Sequence, residues 1–419
     1  MNERWQFWLN RIGEKLWVKP LLMCVLSLVA ALLASLADET IPAGYLPDIS
    51  LESIQTLLTI ISSSMLVIAT FAVGSMVSAY ASASVVATPR AFALIVADDV
   101  SQNALSVFIG ALIFSIVALA ALLNGYYDQA GRFTLFVLTL LVFTIVIVIF
   151  VRWVDRIARL GRLETTIRSV ERATLAALDN WRRHPNLGGT EVSARGSDGL
   201  AVFGQSVGYV QHIEINRLQN IALEQNGRIE VVALPGSYIG PNQVIAYWLT
   251  ENNSNIELDL SQVGDAFRIG EERTYDEDPR FGLVVLSEIA SRALSPGIND
   301  AGTAIQVIGS LVRIFSHWAS PIKADDRESI KFDRVAVPGL SIDSMFEDAF
   351  RAIARDGAAS IEVVSRLQKG LEALATCGGG MDRAACEQAR RALGRAESSL
   401  QAPEDLALAR ELTQFAQPD

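Results

Sequence analysis

Between Glu52 and Arg90 the chain carries no charged side chain. A helix needs only about 20 apolar residues to cross a bilayer core, so the uncharged stretch from Ser53 to Pro89 holds one crossing and a surplus. That surplus, Ser78-Ala79-Tyr80-Ala81-Ser82-Ala83-Ser84, is small and weakly polar. The expectation is a helix that leaves the membrane while still packed against a neighbour. Along it Thr70, Gly74, Ser78 and Ser82 recur at every fourth position and fall on one face, and with Ser63 they form a candidate pore or helix-packing face. Small residues at this spacing let another backbone approach closely.

Three further uncharged runs flank the long one, and the expected spans are about 20–37, 54–82, 101–124 and 133–151. The whole membrane domain is placed at 20–151. Ahead of it, residues 1–19 carry Trp5, Trp8, Leu9, Ile12 and Leu16 opposite Arg4, Arg11 and Lys15, the pattern of a helix lying in the headgroup plane. Ser35-Leu36-Ala37 is superficially like a signal-peptidase site, but the Trp-rich lead is not a signal's short basic region, so an uncleaved span is expected. Thr88 is expected to cap a short surface helix over Ala91 to Ala97, with Pro89 in its first turn. Basic residues cluster before the first span (Arg4, Arg11, Lys15, Lys19) and after the fourth (Arg152, Arg156, Arg159, Arg162), and are absent from the loop between the first two. By the positive-inside rule both termini are cytoplasmic, in a multi-pass protein of a bacterial inner (plasma) membrane.

A chain of 419 residues that is 51% hydrophobic is too apolar for one soluble domain and long enough for a second unit. Residues 152–195 read as a helix that continues the fourth span and then a linker, 196–256 as a small β domain, and 257–419 as a mainly helical domain. The expected fold class is an α-helical transmembrane bundle of four spans, followed by a cytoplasmic α+β region with a small β-barrel or sandwich and a helical C-terminal part. The net charge of −11, with the excess acid mostly in the second half, argues against that half gripping nucleic acid or an anionic lipid surface; the partners expected are the lipid bilayer around the spans and other copies of the chain. Cys24, Cys377 and Cys386 are scattered and are expected as free thiols. Three isolated histidines, His184, His212 and His317, give no metal-ligand spacing, so no metal or other cofactor is expected.

Several stretches carry a family resemblance. Thr88-Pro89-Arg90 after a long span, Gly208-Tyr209-Val210-Gln211 with Pro235-Gly236-Ser237-Tyr238-Ile239, Arg273-Thr274 with Asp278 and Phe281-Gly282, and Ser295-Pro296-Gly297-Ile298-Asn299-Asp300 with Thr303-Ala304 stand in that order. Together they resemble the DUF2254 family of predicted bacterial membrane proteins over most of the chain. Glu277 and Ala301 depart from the pattern, where the family carries Gln and Pro. The resemblance implies a layout and no activity. Pro235 to Trp248 also looks like half of a biotinyl- or lipoyl-carrier domain, but no lysine lies between Lys19 and Lys323 to accept such a group, which excludes a carrier.

Two places remain as candidate sites, each with two readings. Pro296-Gly297 fits the centre of a type II turn, and Asn299 or Asp300 fits a helix cap, so this stretch reads as a tight corner. Alternatively Arg273, Thr274, Asp278, Asn299, Asp300 and Thr303 bind an ion or small ligand, with Asp276 and Glu277 completing the pocket. The Ser63–Ser82 face reads either as close helix packing or as the lining of a pore in a homo-oligomer. No serine elbow, phosphate loop, dinucleotide fingerprint or zinc motif stands in context, and an enzyme is not expected. The function expected is thus an oligomeric channel-like protein with its second span near the axis and a cytoplasmic regulatory domain. The alternative is a membrane-anchored cytoplasmic sensor or scaffold without transport.

Overall fold

A computed structural model describes residues 18–40, 46–86, 88–92, 94, 99–158, 162–192, 199–250, 259–322 and 329–417. The expected interfacial helix over 1–19 lies almost wholly outside the described residues, as does most of the short helix expected over 91–97. Two compact units form, Met1–Thr166 and Ile167–Asp419.

Among the described residues of the first unit, four helices are long and apolar enough to cross a membrane: α1 (Val18–Thr40), α2 (Leu51–Val86), α3 (Asp99–Leu123) and α4 (Gln129–Ile157). Helix α3 packs against each of the other three. Its seam is made of small residues, Ala104, Ala111 and Ala118, set between Phe108 and Phe114. Gly110 belongs to the same seam, because a Cβ there would stand 3.1 Å from the Cβ of Met23 on α1. The buried hydroxyls of Ser106 and Ser115 donate to Gln102 O (2.7 Å) and Ala111 O (2.8 Å) on their own helix, so neither is left unsatisfied in an apolar seam.

One end of the bundle is stitched by Asp38. Its carboxylate accepts from the backbone amides of Asp128 (3.0 Å) and Gly131 (2.7 Å), supplying from α1 the cap that α4 does not receive from Asp128's side chain. The Tyr127 hydroxyl donates to Ala31 O (2.8 Å) beside it. From Lys19 to Asp38 on α1, and from Arg132 to Arg152 on α4, the charge-free interval is about 30 Å at 1.5 Å per residue, one bilayer core. Helix α2 has 36 residues and is about 54 Å long by the same rule. It is the longest of the four. At its far end Pro89 opens a 3₁₀ turn as expected, but Thr88 makes no side-chain cap: the residue is buried and its hydroxyl finds no partner among the described residues.

The second unit begins within α5 (Leu163–Arg183). Helix α4 ends at Ile157 and α5 starts at Leu163, so the single continuous helix expected over this stretch is two elements. Along α5, Ile167, Val170, Thr174, Leu178 and Trp181 are buried. Among the described residues eight strands follow: β1 (Gly189–Glu191), β2 (Leu200–Phe203), β3 (Gly208–Ile213), β4 (Gly227–Val231), β5 (Tyr238–Ile239), β6 (Val244–Thr250), β7 (Phe267–Gly270) and β8 (Phe332–Val337). They form a mixed sheet in the order β1-β8-β4-β6-β2 and an antiparallel sheet β5-β3-β7. Both sheets are open, so no barrel forms. Closure needs a continuous, staggered ladder, and strands of two to four residues at the edges cannot carry one. The inward residues of both sheets, among them Val210, Ile213, Ile229, Ile239 and Trp248, share one core. Helix α6 (Ile215–Glu224) packs on β4 and β8 of the larger sheet.

The short helix α7 (Leu260–Gly264), capped by Asp259, gives way to β7, a strand inside the stretch expected to be mainly helical. A helical layer completes the unit: α8 (Pro279–Ala293), α9 (Ala301–Ala319), α10 (Ile342–Asp356), α11 (Ile361–Thr376), α12 (Asp382–Ser399) and α13 (Pro403–Glu411). Phe315 of α9 and Phe346 and Phe350 of α10 pack with ring centroids 4.4 to 5.6 Å apart at its centre. Helix α12 ends at Ser399, and Pro403 begins α13 in the first-turn position that proline tolerates. The three cysteines are free thiols.

Candidate functional site

Arg273, Asp278 and the start of α8 form the most closely held part of the second unit. Asp278 is the cap of α8, its Oδ1 accepting from Phe281 N at 3.1 Å, and only 3% of it is exposed. Both carboxylate oxygens also accept from Arg273, Oδ2 from Nε at 2.7 Å and Oδ1 from Nη2 at 3.0 Å. The guanidinium lies over the Phe281 ring, 5.2 Å from its centroid. Gly236 has a positive φ of 91° and packs directly on the carboxylate, leaving no room for a side chain. Burial pushes the Asp278 carboxyl above its ordinary pKa, against the opposing pull of Arg273.

The same point gathers the other motif stretches. Gly236 N donates to Val210 O (2.8 Å), the Gln211 side chain donates to Glu272 O (2.7 Å), and the Trp181 indole donates to Glu277 O (3.0 Å). His212 Nδ1 meets Glu277 Oε1 at 2.6 Å, and this hydrogen bond raises the imidazole pKa although burial opposes it. Gly282 faces Thr174 of α5 so closely that a Cβ would collide with it. Segments scattered from Thr174 to Gly282 thus surround one largely buried ion pair, in which both Asp278 oxygens are used by Arg273 and Oδ1 also by the Phe281 amide. Thr274 is half-buried beside it.

Asn299, Asp300 and Thr303 lie elsewhere. They follow the C-terminal end of α8, whereas Asp278 stands at its N-terminal end, and the 15 residues between make a rod of about 22 Å. The single pocket drawn from Arg273 through Thr303 therefore does not assemble. Asp300 caps α9, with Oδ1 accepting from Thr303 N (3.0 Å) and Oδ2 from Thr303 Oγ1 (2.6 Å), and these bonds hold its pKa below the ordinary carboxylate value. The turn before it is not type II: Gly297 keeps a negative-side backbone, and Asn299, at φ 50°, takes the left-handed position. Asp276 and Asn299 are exposed.

The other candidate face lies on α2. Ile54, Leu58, Ile61, Met65, Ala69, Ala72 and Met76 are buried against the bundle, while Ser63, Thr70, Gly74 and Ser78 are exposed on the other side. Nothing lies within 4 Å of a Cβ built at Gly74. The hydroxyls of Ser63 and Thr70 donate to carbonyls of their own helix, at 2.9 Å to Thr59 O and 3.0 Å to Leu66 O. The side chain of Ser82 lies outside the described residues.

A family model described as "Predicted membrane protein (DUF2254)" matches residues 13–373. The chain belongs to the DUF2254 family. Uncharacterised proteins of Mycobacterium tuberculosis and Mycobacterium bovis are each 27% identical to it over 172 residues, 39% of this chain. The match covers only 33% of each mycobacterial protein, so this chain aligns with about a third of their length. No solved structure matches. In this DUF2254 protein the motifs read from the sequence divide into a buried knot at Asp278 and an exposed cap at Asp300.

Two polar clusters escaped the sequence reading because their members are far apart in the chain. One is His212 with Glu277. The other joins α5 to the end of α9: His317 Nε2 stands 2.7 Å from Asp179 Oδ1 and 3.0 Å from Arg182 Nη1, and Arg182 Nη2 donates to Ser320 O at 2.6 Å. Burial would raise the pKa of Asp179, but the hydrogen bonds and charges of His317 and Arg182 bring it below the ordinary value.

Proposed function

We propose that this DUF2254 protein is a non-catalytic, homo-oligomeric, channel-like protein of a bacterial inner membrane, with α2 near the axis and the second unit as its cytoplasmic regulatory part. The observation that carries this reading is the outward small-residue face of α2. In one chain Ser63, Thr70, Gly74 and Ser78 are exposed, with open space around Gly74, and at 36 residues α2 is longer than a bilayer core is thick by more than one-third of its length. Lipid tails can cover such a face only within the hydrocarbon. The charge-free interiors of the spans argue against an ion-coupled carrier, which needs ionisable relays at membrane depth.

The second reading, a membrane anchor for a sensor or scaffold without transport, is favoured by one detail. Ser63 and Thr70 satisfy their hydroxyls on their own carbonyls and require no water. Reconstitution into planar bilayers separates the two. The channel reading expects unitary currents that change in Gly74→Leu, from a protein whose mass is a multiple of one chain. Silence under voltage and tension from a confirmed oligomer would favour the scaffold, and a monomeric mass would remove both the axis and the pore.

A further inference from the structure

The chain has three histidines, and all of them bear on one place, the C-terminal end of α5. That helix is where the chain enters the second unit. His184 follows its last turn, with Nδ1 3.1 Å from both the carbonyl and the side-chain oxygen of Asn180. His317 reaches it from α9: Nε2 stands 2.7 Å from Asp179 Oδ1, and Arg182 beside it donates to Ser320 O at 2.6 Å. His212 reaches it from β3 through one intermediary. Its Nδ1 meets Glu277 Oε1 at 2.6 Å, and the carbonyl of that same Glu277 accepts from the indole of Trp181, a residue 3% exposed.

Leu178 and Trp181 bury the apolar side of this helix end, while its polar ties to β3 and α9 run through two imidazole–carboxylate pairs. Histidine is the side chain whose charge changes near neutral pH, and a charge-assisted hydrogen bond is about twice as strong as a neutral one. Each tie is therefore stronger with its imidazole protonated. The ring of His212 faces Glu277 and Glu214, with Arg268 of β7 opposing them, and the balance raises its pKa. His317 faces Asp179 and Arg182 of α5, and beside it the Cys377 thiol at the end of α11 stands 3.8 Å from Ser316 Oγ.

We propose that these two pairs make the end of α5 a proton-responsive latch, held to β3 and α9 when His212 and His317 are protonated and loosened when they are not. Because α5 joins the two units along the chain, the latch is a point at which pH acts on the connection between them. With the folded pKa of His212 above its unfolded value of about 6.5, its share of the hold is complete below that pH and is lost as pH rises through the folded value. The latch is independent of the α2 face and of any current through the protein.

Amide hydrogen exchange of the full-length protein in detergent, corrected for the intrinsic pH dependence of exchange, tests it. Protection of the amides of 179–184 is expected to fall about tenfold between about pH 6 and pH 8, the change that one unit of difference in pKa supplies. The fall should exceed that of the α10 amides around Phe346 and Phe350, whose surroundings in the core are apolar. His212→Gln and His317→Gln, which keep a hydrogen-bond donor without a titrating charge, should each flatten the profile in part. The double variant should stay at the wild type's level of about pH 8 throughout, and His184→Gln should keep the wild-type dependence. A second readout needs no variant fold: in spectra of histidine-labelled wild type, the ring signals of His212 and His317 should titrate in the same window as the exchange. Flat protection in the wild type, an equal fall at 179–184 and in α10, an undiminished fall in the double variant, or rings that do not titrate in this window would each overturn the proposal.

Discussion

Helices α2 and α3 both carry rows of small residues, and the bundle uses them in opposite ways. On α3 the row faces inward: Ala104, Ala111 and Ala118 are buried, Gly110 admits α1, and 44% of the crossing is buried. On α2 the buried side is built from larger residues such as Ile54, Leu58 and Met65, only 28% of the crossing is buried, and the small row faces away. The lesson is that small residues mark where a backbone could approach, while the fold decides whether one does. The two ends of α8 repeat the contrast in the second unit. Asp278 and Asp300 both cap helices, one inside a knot of four chain segments and one on the surface.

Substitutions turn that contrast into numbers. The largest effect is expected at Asp278→Ala, which strands a largely buried Arg273 and should cost about 3–5 kcal/mol, read as a collapse of the melting transition of the purified protein. Gly110→Leu comes next. The side chain must displace Met23 and Ser27, and overpacking of this kind costs about 1–3 kcal/mol. Asp300→Ala removes an exposed cap and should cost about 0.5–2 kcal/mol, with Asp300→Asn restoring most of it. Gly74→Leu should leave the stability of a single chain within about 0.5 kcal/mol, because open space surrounds that position, yet it should weaken self-association. If Gly74→Leu proved as destabilising as Gly110→Leu in the isolated monomer, the contrast between α2 and α3 would fail.

The smallest effect is a pH dependence. Because the folded pKa of His212 is raised by Glu277, its contribution to stability is full below the unfolded pKa of about 6.5 and is lost as pH rises through the higher folded value. Thermal melts of the wild type should fall between pH 6 and 8 by a margin that His212→Gln removes. An unchanged pH profile in that variant would mean the pair adds nothing to the fold.

The four crossings were legible because an uncharged run longer than a bilayer is thick has few other places to fold, and Asp300 was legible as a cap from its place before an apolar helix. The direction of the α2 small face was not, since it depends on which residues the other helices bury. Nor were β1, β2 and β5, whose few residues pair only because the neighbouring sheet offers an edge. The separation of Arg273 from Asn299 could have been found by noting that α8 lies between them.

Self-association through the outward face of α2 is most directly tested by cysteine crosslinking in membranes. With Cys24→Ala, Cys377→Ser and Cys386→Ala as background, single cysteines would be placed as Gly74→Cys, Ser78→Cys, Gly110→Cys and, as a control exposed on α1, Leu22→Cys. The account predicts rapid inter-chain disulfides at 74 and 78, and none at 110 or 22. Crosslinking at 22 as fast as at 74, or none at 74 and 78 under the same oxidant, would contradict it.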